Sequence, residues 1–171
     1  GLRNARLDLT QNRLFTLSQG SKSVLASLQE PITLRFFYSE KLANQVPQIK
    51  TYATRVRELL DEYASLAKGK IKLEVIDPEP FSDAEDRATQ AGIQGVPLDP
   101  NQSEQFYFGL AGTNSTDRQE VIPFFQQDKE QFLEYDLTRL IYNLTDPKKP
   151  VLGILTDLPL EFGPGGMMAA M

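Results

Sequence analysis

The sequence holds no cysteine and no histidine in 171 residues. Without cysteine there can be no disulfides, thiol nucleophiles, thiolate zinc sites or redox pairs. Without histidine the commonest general base near neutral pH and the commonest transition-metal ligand are gone. Ser-His-Asp catalysis, Cys-His catalysis and histidine-based zinc hydrolysis are therefore excluded within this chain. Carboxylate chemistry, Ser-Lys chemistry or no chemistry remains. Basic charge is also short: 18 Lys and Arg stand against 23 Asp and Glu, a net charge of −5. No Lys/Arg stripe is available to release phosphate counterions, so nucleic acid is not an expected partner. Anionic lipid surfaces would repel the chain. No apolar run approaches the ~20 residues that span a bilayer, and no stretch reads as a signal peptide.

What is present supports a packed core: 40% of residues are hydrophobic and 9% aromatic, outside the profile of a disordered chain. The length suits one domain with a fragment of another. The chain opens on Gly1 rather than Met, and the expectation is a piece of a longer protein.

Periodicity then places the elements. Arg6–Thr10 and Arg13–Leu17 read as extended. Ser18 or Ser21 can cap a short helix carrying Val24, Leu25 and Leu28. Ile32–Tyr38 is aromatic and β-prone, a strand. Ile49, Tyr52, Ala53, Val56, Leu59, Leu60, Tyr63 and Leu66 keep the spacing of one buried helix face, with Pro47 at its start and Gly69 at its exit. Ile71, Leu73 and Val75 alternate with charged residues, as in a strand. Ser82 and Glu85 form a capping box for a helix stopped by Gly92. Gly95-Val96-Pro97 reads as a turn. Phe106–Ala111 and Glu120–Phe125 read as a hairpin. Asp128 with Gln131 is expected to cap a last helix burying Phe132, Leu133, Leu137, Leu140, Ile141 and Leu144. Val151–Leu155 reads as a further strand, and 162–171 as a loose end.

From Ile32 the order is β-α-β-α-β-β-α. The expected fold is α/β, a thioredoxin-like three-layer α/β/α arrangement with a mixed β-sheet and no redox cysteines. Residues 1–146 form that domain; 147–171 are expected to be a linker and the truncated first strand of a following domain.

In such a fold the reactive thiol would follow the first strand, where Tyr38-Ser39-Glu40-Lys41 stands instead. Val96-Pro97 lies roughly where these folds place a cis-proline beside the active site. It reads either as a retained peptide-docking edge or as an ordinary turn proline. The other motifs are weaker. Ser18–Ser23 fails as a phosphate loop because Phe15 stands at the first required glycine, and as a Ser-Lys pair because no serine lies three positions before Lys22. No GxGxxG occurs. Asp77 and Glu79 end a strand while Asp83, Glu85 and Asp86 open a helix, where the macrodipole favours acids. Asp99–Ser103 imitates a calcium loop, but Glu104 and Leu110 occupy its glycine and closing glutamate positions. Asn101, Asn114 and Asn143 begin glycosylation sequons, a pattern too short to carry weight.

Several blocks together resemble a known family. They are Asp8-Leu9-Thr10, Pro31–Ser39, Tyr52–Leu60, Val75–Pro80, Gln94–Pro97, Tyr107–Gly112 and Phe132–Tyr142. From about residue 5 to 160 the chain is similar to the gliding-motility-associated ABC transporter auxiliary proteins, the GldG-like family. The resemblance implies a membrane anchor before this region, a domain on the periplasmic or extracytoplasmic face of the bacterial inner membrane, and permease and ATPase subunits as partners. It also implies that Lys149–Leu155 begins a Rossmann-like auxiliary domain. That family supplies no catalytic residues, and relatives outside gliding bacteria leave the cargo undefined. The expected function is thus a non-catalytic accessory domain of an ABC-type transport system, with no cofactor and no metal. Its contact surfaces are expected at Tyr38, Ser39 and Glu40 and at Val96 and Pro97. The alternative is a periplasmic solute- or glycan-binding module. A carboxylate hydrolase would require Asp77, Glu79 and a helical acid to converge in a pocket. Homo-oligomerisation is left open.

Overall fold

The computed structural model describes residues 17–101 and 103–145. The opening strand readings before Leu17, the strand expected at Val151–Leu155, the loose end and the domain boundary near 146 lie outside the described residues.

Local chemistry sets the element ends. Ser18 caps α1 (Gln19–Ala26), its Oγ accepting from the Ser21 N–H at 3.2 Å. β1 spans Ile32–Tyr38. A single turn, α2 (Glu40–Ala43), precedes the long α3 (Pro47–Leu66). The two do not merge, because the Pro47 ring disfavours helical geometry at Val46, which sits at φ −134° and ψ 89°. Tyr52, Ala53, Val56, Leu59, Leu60 and Tyr63 of α3 are all buried. Each large side chain among them contributes about 1.5–3 kcal/mol.

β2 (Ile71–Ile76) follows, then α4 (Asp83–Gln90), capped by Ser82 Oγ accepting from the Glu85 N–H at 3.2 Å. Gly92 at φ 93° turns the chain out of α4. Next come β3 (Val96–Pro97), β4 (Gln105–Phe106), β5 (Phe108–Thr113) and β6 (Gln119–Ile122). A 3₁₀ segment, Gln127–Phe132, leads into α5 (Leu133–Asn143).

The main sheet is mixed, in the order β2-β1-β5-β6. β1 and β2 run parallel with Ile32 beside Ile71 and Phe37 beside Ile76. β1–β5 and β5–β6 are antiparallel. One sheet face carries Leu34, Phe36, Phe108 and Leu110 into the main core, where α1, α3 and α5 cover them. The other face is thinner: Phe37, Tyr107 and Ala111 pack with Ala88 of α4 and with Ile93. On the outer part of that face Arg35 pairs with Glu74, its register partner, at 3.0 Å. The fold is α/β.

A buried polar clasp joins the three helices of the thick layer. Ser21, Tyr63 and Thr138 are fully buried. Thr138 Oγ1 lies 2.8 Å from Ser21 Oγ and 2.6 Å from the Tyr63 hydroxyl. Glu134 accepts from the Ser18 N–H at 3.0 Å, from Ser18 Oγ at 2.8 Å and from Ser21 Oγ. The α1 N-terminus is therefore capped twice, once locally and once from α5.

Four expectations need correction. Phe106–Ala111 is two strands, since Phe106 pairs with Val96 whereas Phe108 pairs with Tyr38. The partner changes at Tyr107. Val96-Pro97 is a short ladder rather than a turn; Pro97, with no N–H to give, suits this marginal position. β6 stops at Ile122 rather than Phe125 because Pro123 cannot donate to the ladder. The last helix starts at Leu133 with Phe132 as an N-cap lacking a side-chain bond, not at Asp128; Lys129 (φ −108°, ψ 21°) interrupts the turn before it.

Candidate functional site

The carboxyl ends of the parallel pair β1–β2 are where open α/β sheets place ligands, and three of the expected contact residues lie there. Tyr38 ends β1. Its ring stacks on Phe36 at 5.7 Å and meets Phe108 at 5.6 Å and Phe106 at 6.2 Å. Burial, then the Glu40 and Asp77 carboxylates, push its hydroxyl up to about 12, so the phenol stays protonated at neutral pH.

Ser39 is only 2% exposed. Its N–H donates to the Tyr107 carbonyl at 2.9 Å, and its Oγ accepts from the Tyr107 N–H at 2.8 Å. The side chain that follows the first strand is thus a clamp on the backbone, placed where the chain passes from β4 to β5. It satisfies a buried N–H that would otherwise have no partner there. Glu40 is exposed and opens α2. Lys41 bridges to Glu79 at 2.9 Å, and that bond holds its ammonium above its ordinary range. Asp77 is raised as well, chiefly by burial, while bonding and charge from Lys41 act in the opposite direction.

Val96 and Pro97 belong to the same region through Phe106. That ring faces Tyr38, and Phe106 is the ladder partner of Val96. The two expected surfaces are therefore neighbours across one buried phenylalanine. Val96 is half-buried and Pro97 exposed.

The acidic groups divide by task. Asp77, Glu79 and Glu40 share the sheet end, and the charges of Glu79 and Glu40 add to burial in raising the Asp77 carboxyl. Glu85 is structural: Oε1 accepts the Phe81 N–H at 2.8 Å and Oε2 accepts the Tyr107 hydroxyl at 3.0 Å. Among the described residues no group of three or more acidic side chains is placed to hold a metal. Ser21 bonds Glu134 and Thr138, which gives it a packing role. Asp99 Oδ1 accepts from the Asn101 N–H at 2.9 Å, an Asx turn. Asn114 organises the β5–β6 loop, with Oδ1 accepting from the Thr116 and Arg118 N–H groups, each at 2.9 Å.

One residue of this region has no counterpart in the sequence reading. Phe81, on the loop between β2 and α4, is 86% exposed and sits at φ 63°. A bulky residue in the left-handed region carries about 1–3 kcal/mol of backbone strain. Left in water, it also forgoes about 1.5–3 kcal/mol of burial. The only sequence signal is an isolated aromatic set between Pro80 and the capping Ser82, which belongs to no periodic face.

Among the described residues no helix is long and apolar enough to cross a membrane. The chain is 25% identical over 154 residues to an uncharacterized protein of Borreliella burgdorferi; the match covers 87% of this chain and 29% of that protein. The chain thus spans under a third of that relative's length. No solved structure matches it. The family model for a domain of unknown function, DUF7088, matches residues 11–113, and this chain belongs to that family.

Proposed function

We propose that the chain is a non-catalytic, extracytoplasmic accessory domain of an ABC-type transport system, working by contact with protein partners. The observation that carries the non-catalytic half is Ser39. Both its N–H and its hydroxyl are committed to Tyr107, and it is buried. A hydroxyl that is 2% exposed and bonded to the backbone in this way is a poor nucleophile.

We read the fold as thioredoxin-like on its connectivity. A parallel β1–β2 pair, an antiparallel β5–β6 hairpin, α3 between β1 and β2, and α5 last give that order. In this reading Val96-Pro97 is the edge beside the former reactive position, available for contact with an extended segment. The transport half rests on the resemblance to the gliding-type auxiliary proteins, with an ATPase and a permease as partners and an anchoring segment outside this chain.

A cysteine introduced into this cysteine-free chain reports its placement. Glu62, exposed on α3, is replaced by cysteine in the full-length protein, and spheroplasts are treated with a membrane-impermeant maleimide. The reading predicts labelling before lysis that exceeds that of the unsubstituted parent. Labelling that appears only after lysis overturns it.

A further inference from the structure

Phe81 is held rigidly by groups other than its own side chain. Its N–H donates to Glu85 Oε1 at 2.8 Å. Before it, the Glu79 N–H donates to the Asp77 carbonyl at 2.9 Å. After it, the Ser82 N–H and Oγ both donate to the Glu79 carbonyl, at 3.2 and 2.7 Å. Pro78 is buried and Pro80 adjoins Phe81, so two of the four residues from Asp77 to Pro80 have fixed φ. The loop is also tied to the sheet end. Glu79 bridges to Lys41, and Glu85 reaches Tyr107, the residue clamped by Ser39. Glycine or asparagine would serve the turn at φ 63° with less strain. Nothing within the described fold accounts for a phenylalanine here, since no other ring packs against it and its surface faces water.

We infer that Phe81 is the anchor of a protein–protein contact whose partner offers an apolar pocket rimmed by lysine or arginine. Rigid aromatic side chains are enriched in interface cores, and a pre-set loop loses little entropy on docking. The rim follows from charge. Residues 76–86 include Asp77, Glu79, Asp83, Glu85 and Asp86 and no basic residue, and among the described residues only Lys41 forms an ion pair with them. An anionic bilayer or a second copy of this chain, at net charge −5, meets the loop with the same sign. A cationic rim is the complement that attracts it. The requirement concerns the partner's surface chemistry alone and holds for a partner within a transport system or outside one.

The test is photocrosslinking in the native cells, using the full-length protein with p-benzoylphenylalanine at Phe81 and, as a control, at the exposed Lys68. The expected result is a light-dependent adduct from position 81 alone, mapped by mass spectrometry to an apolar segment flanked by Lys or Arg. Phe81→Ala should weaken recovery of that partner roughly 30-fold, as for an interface hot spot, and Phe81→Gly should leave the melting temperature equal or higher. The inference is overturned by no adduct, or by an adduct to lipid, to a second copy, or to residues 1–16 or 146–171 of the same chain. An adduct equally strong from Lys68, or a lower melting temperature for Phe81→Gly, also overturns it. A basic, apolar partner unrelated to transport would uphold Phe81 and oppose the transporter reading, so the two fail separately.

Discussion

At the scale of single residues, Ser39 and Phe81 divide the labour of the sheet end: the Ser39 side chain is buried in a bond to the backbone, and the Phe81 side chain stands in water. Replacing Ser39 by alanine strands the buried Tyr107 N–H. Urea denaturation should therefore show a loss of about 1–3 kcal/mol with an unchanged m-value. A variant as stable as the parent would mean the clamp carries no weight. Asp136 gives a pH signature. Burial raises its carboxyl above the ordinary 3.8, with Lys129 and Arg139 opposing. A folded pKa above the unfolded one means the folded state holds the extra proton between the two values. Its contribution to stability is therefore largest in acid and declines as pH rises through that window. Asp136→Asn should accordingly gain stability relative to the parent as pH rises from about 4 toward neutrality, as followed by thermal melts across pH. A difference independent of pH contradicts this assignment. Neither residue's role was legible beforehand. Ser39 stands directly after β1, and its bonding depends on a tyrosine 68 positions away. Phe81 gives no periodic signal.

At the scale of elements, most of what the sequence indicated came from regular spacing, and the misses came from backbone chemistry at boundaries. The stripe from Tyr52 to Tyr63 located α3, because burial on one face repeats at the period of the element, and the aromatic, β-prone run Ile32–Tyr38 located β1. The end of β6 before Pro123, the interruption at Lys129 before α5 and the change of partner at Tyr107 each turn on a single residue, which a window of apolar positions averages away. The hairpin offers a quantitative contrast. A Cβ on Gly109 would stand 2.7 Å from the carbonyl oxygens of Ile122 and Pro123. The atoms nearest a Cβ on Gly112 would be the tips of Leu144, Leu140 and Leu34, at 2.8–3.0 Å. Backbone cannot yield cheaply, whereas leucine tips can rotate. Gly109→Ala should cost about 1–3 kcal/mol or more, and Gly112→Ala distinctly less, by denaturant midpoint. Equal losses would contradict the close approach of β5 to the chain leaving β6.

At the scale of the whole molecule, the α/β class and the mixed sheet with parallel Ile32–Tyr38 and Ile71–Ile76 were legible, because the order of elements leaves few ways to cover both faces. The asymmetry of the layers was not. α4 buries one residue, Ala88, while α3 buries six. The thin layer is the side from which the Phe81 loop projects, just ahead of α4. The polar clasp lies in one layer, and the strained, exposed Phe81 stands beside the other. The measurement that tests the proposed accessory role most directly is the composition of the full-length protein purified intact from its own solubilised membranes. Quantitative mass spectrometry should find an ABC-type ATPase and a multi-span permease enriched with it at fixed stoichiometry. Recovery of the protein alone, or with a bound small solute in place of protein partners, would contradict the account.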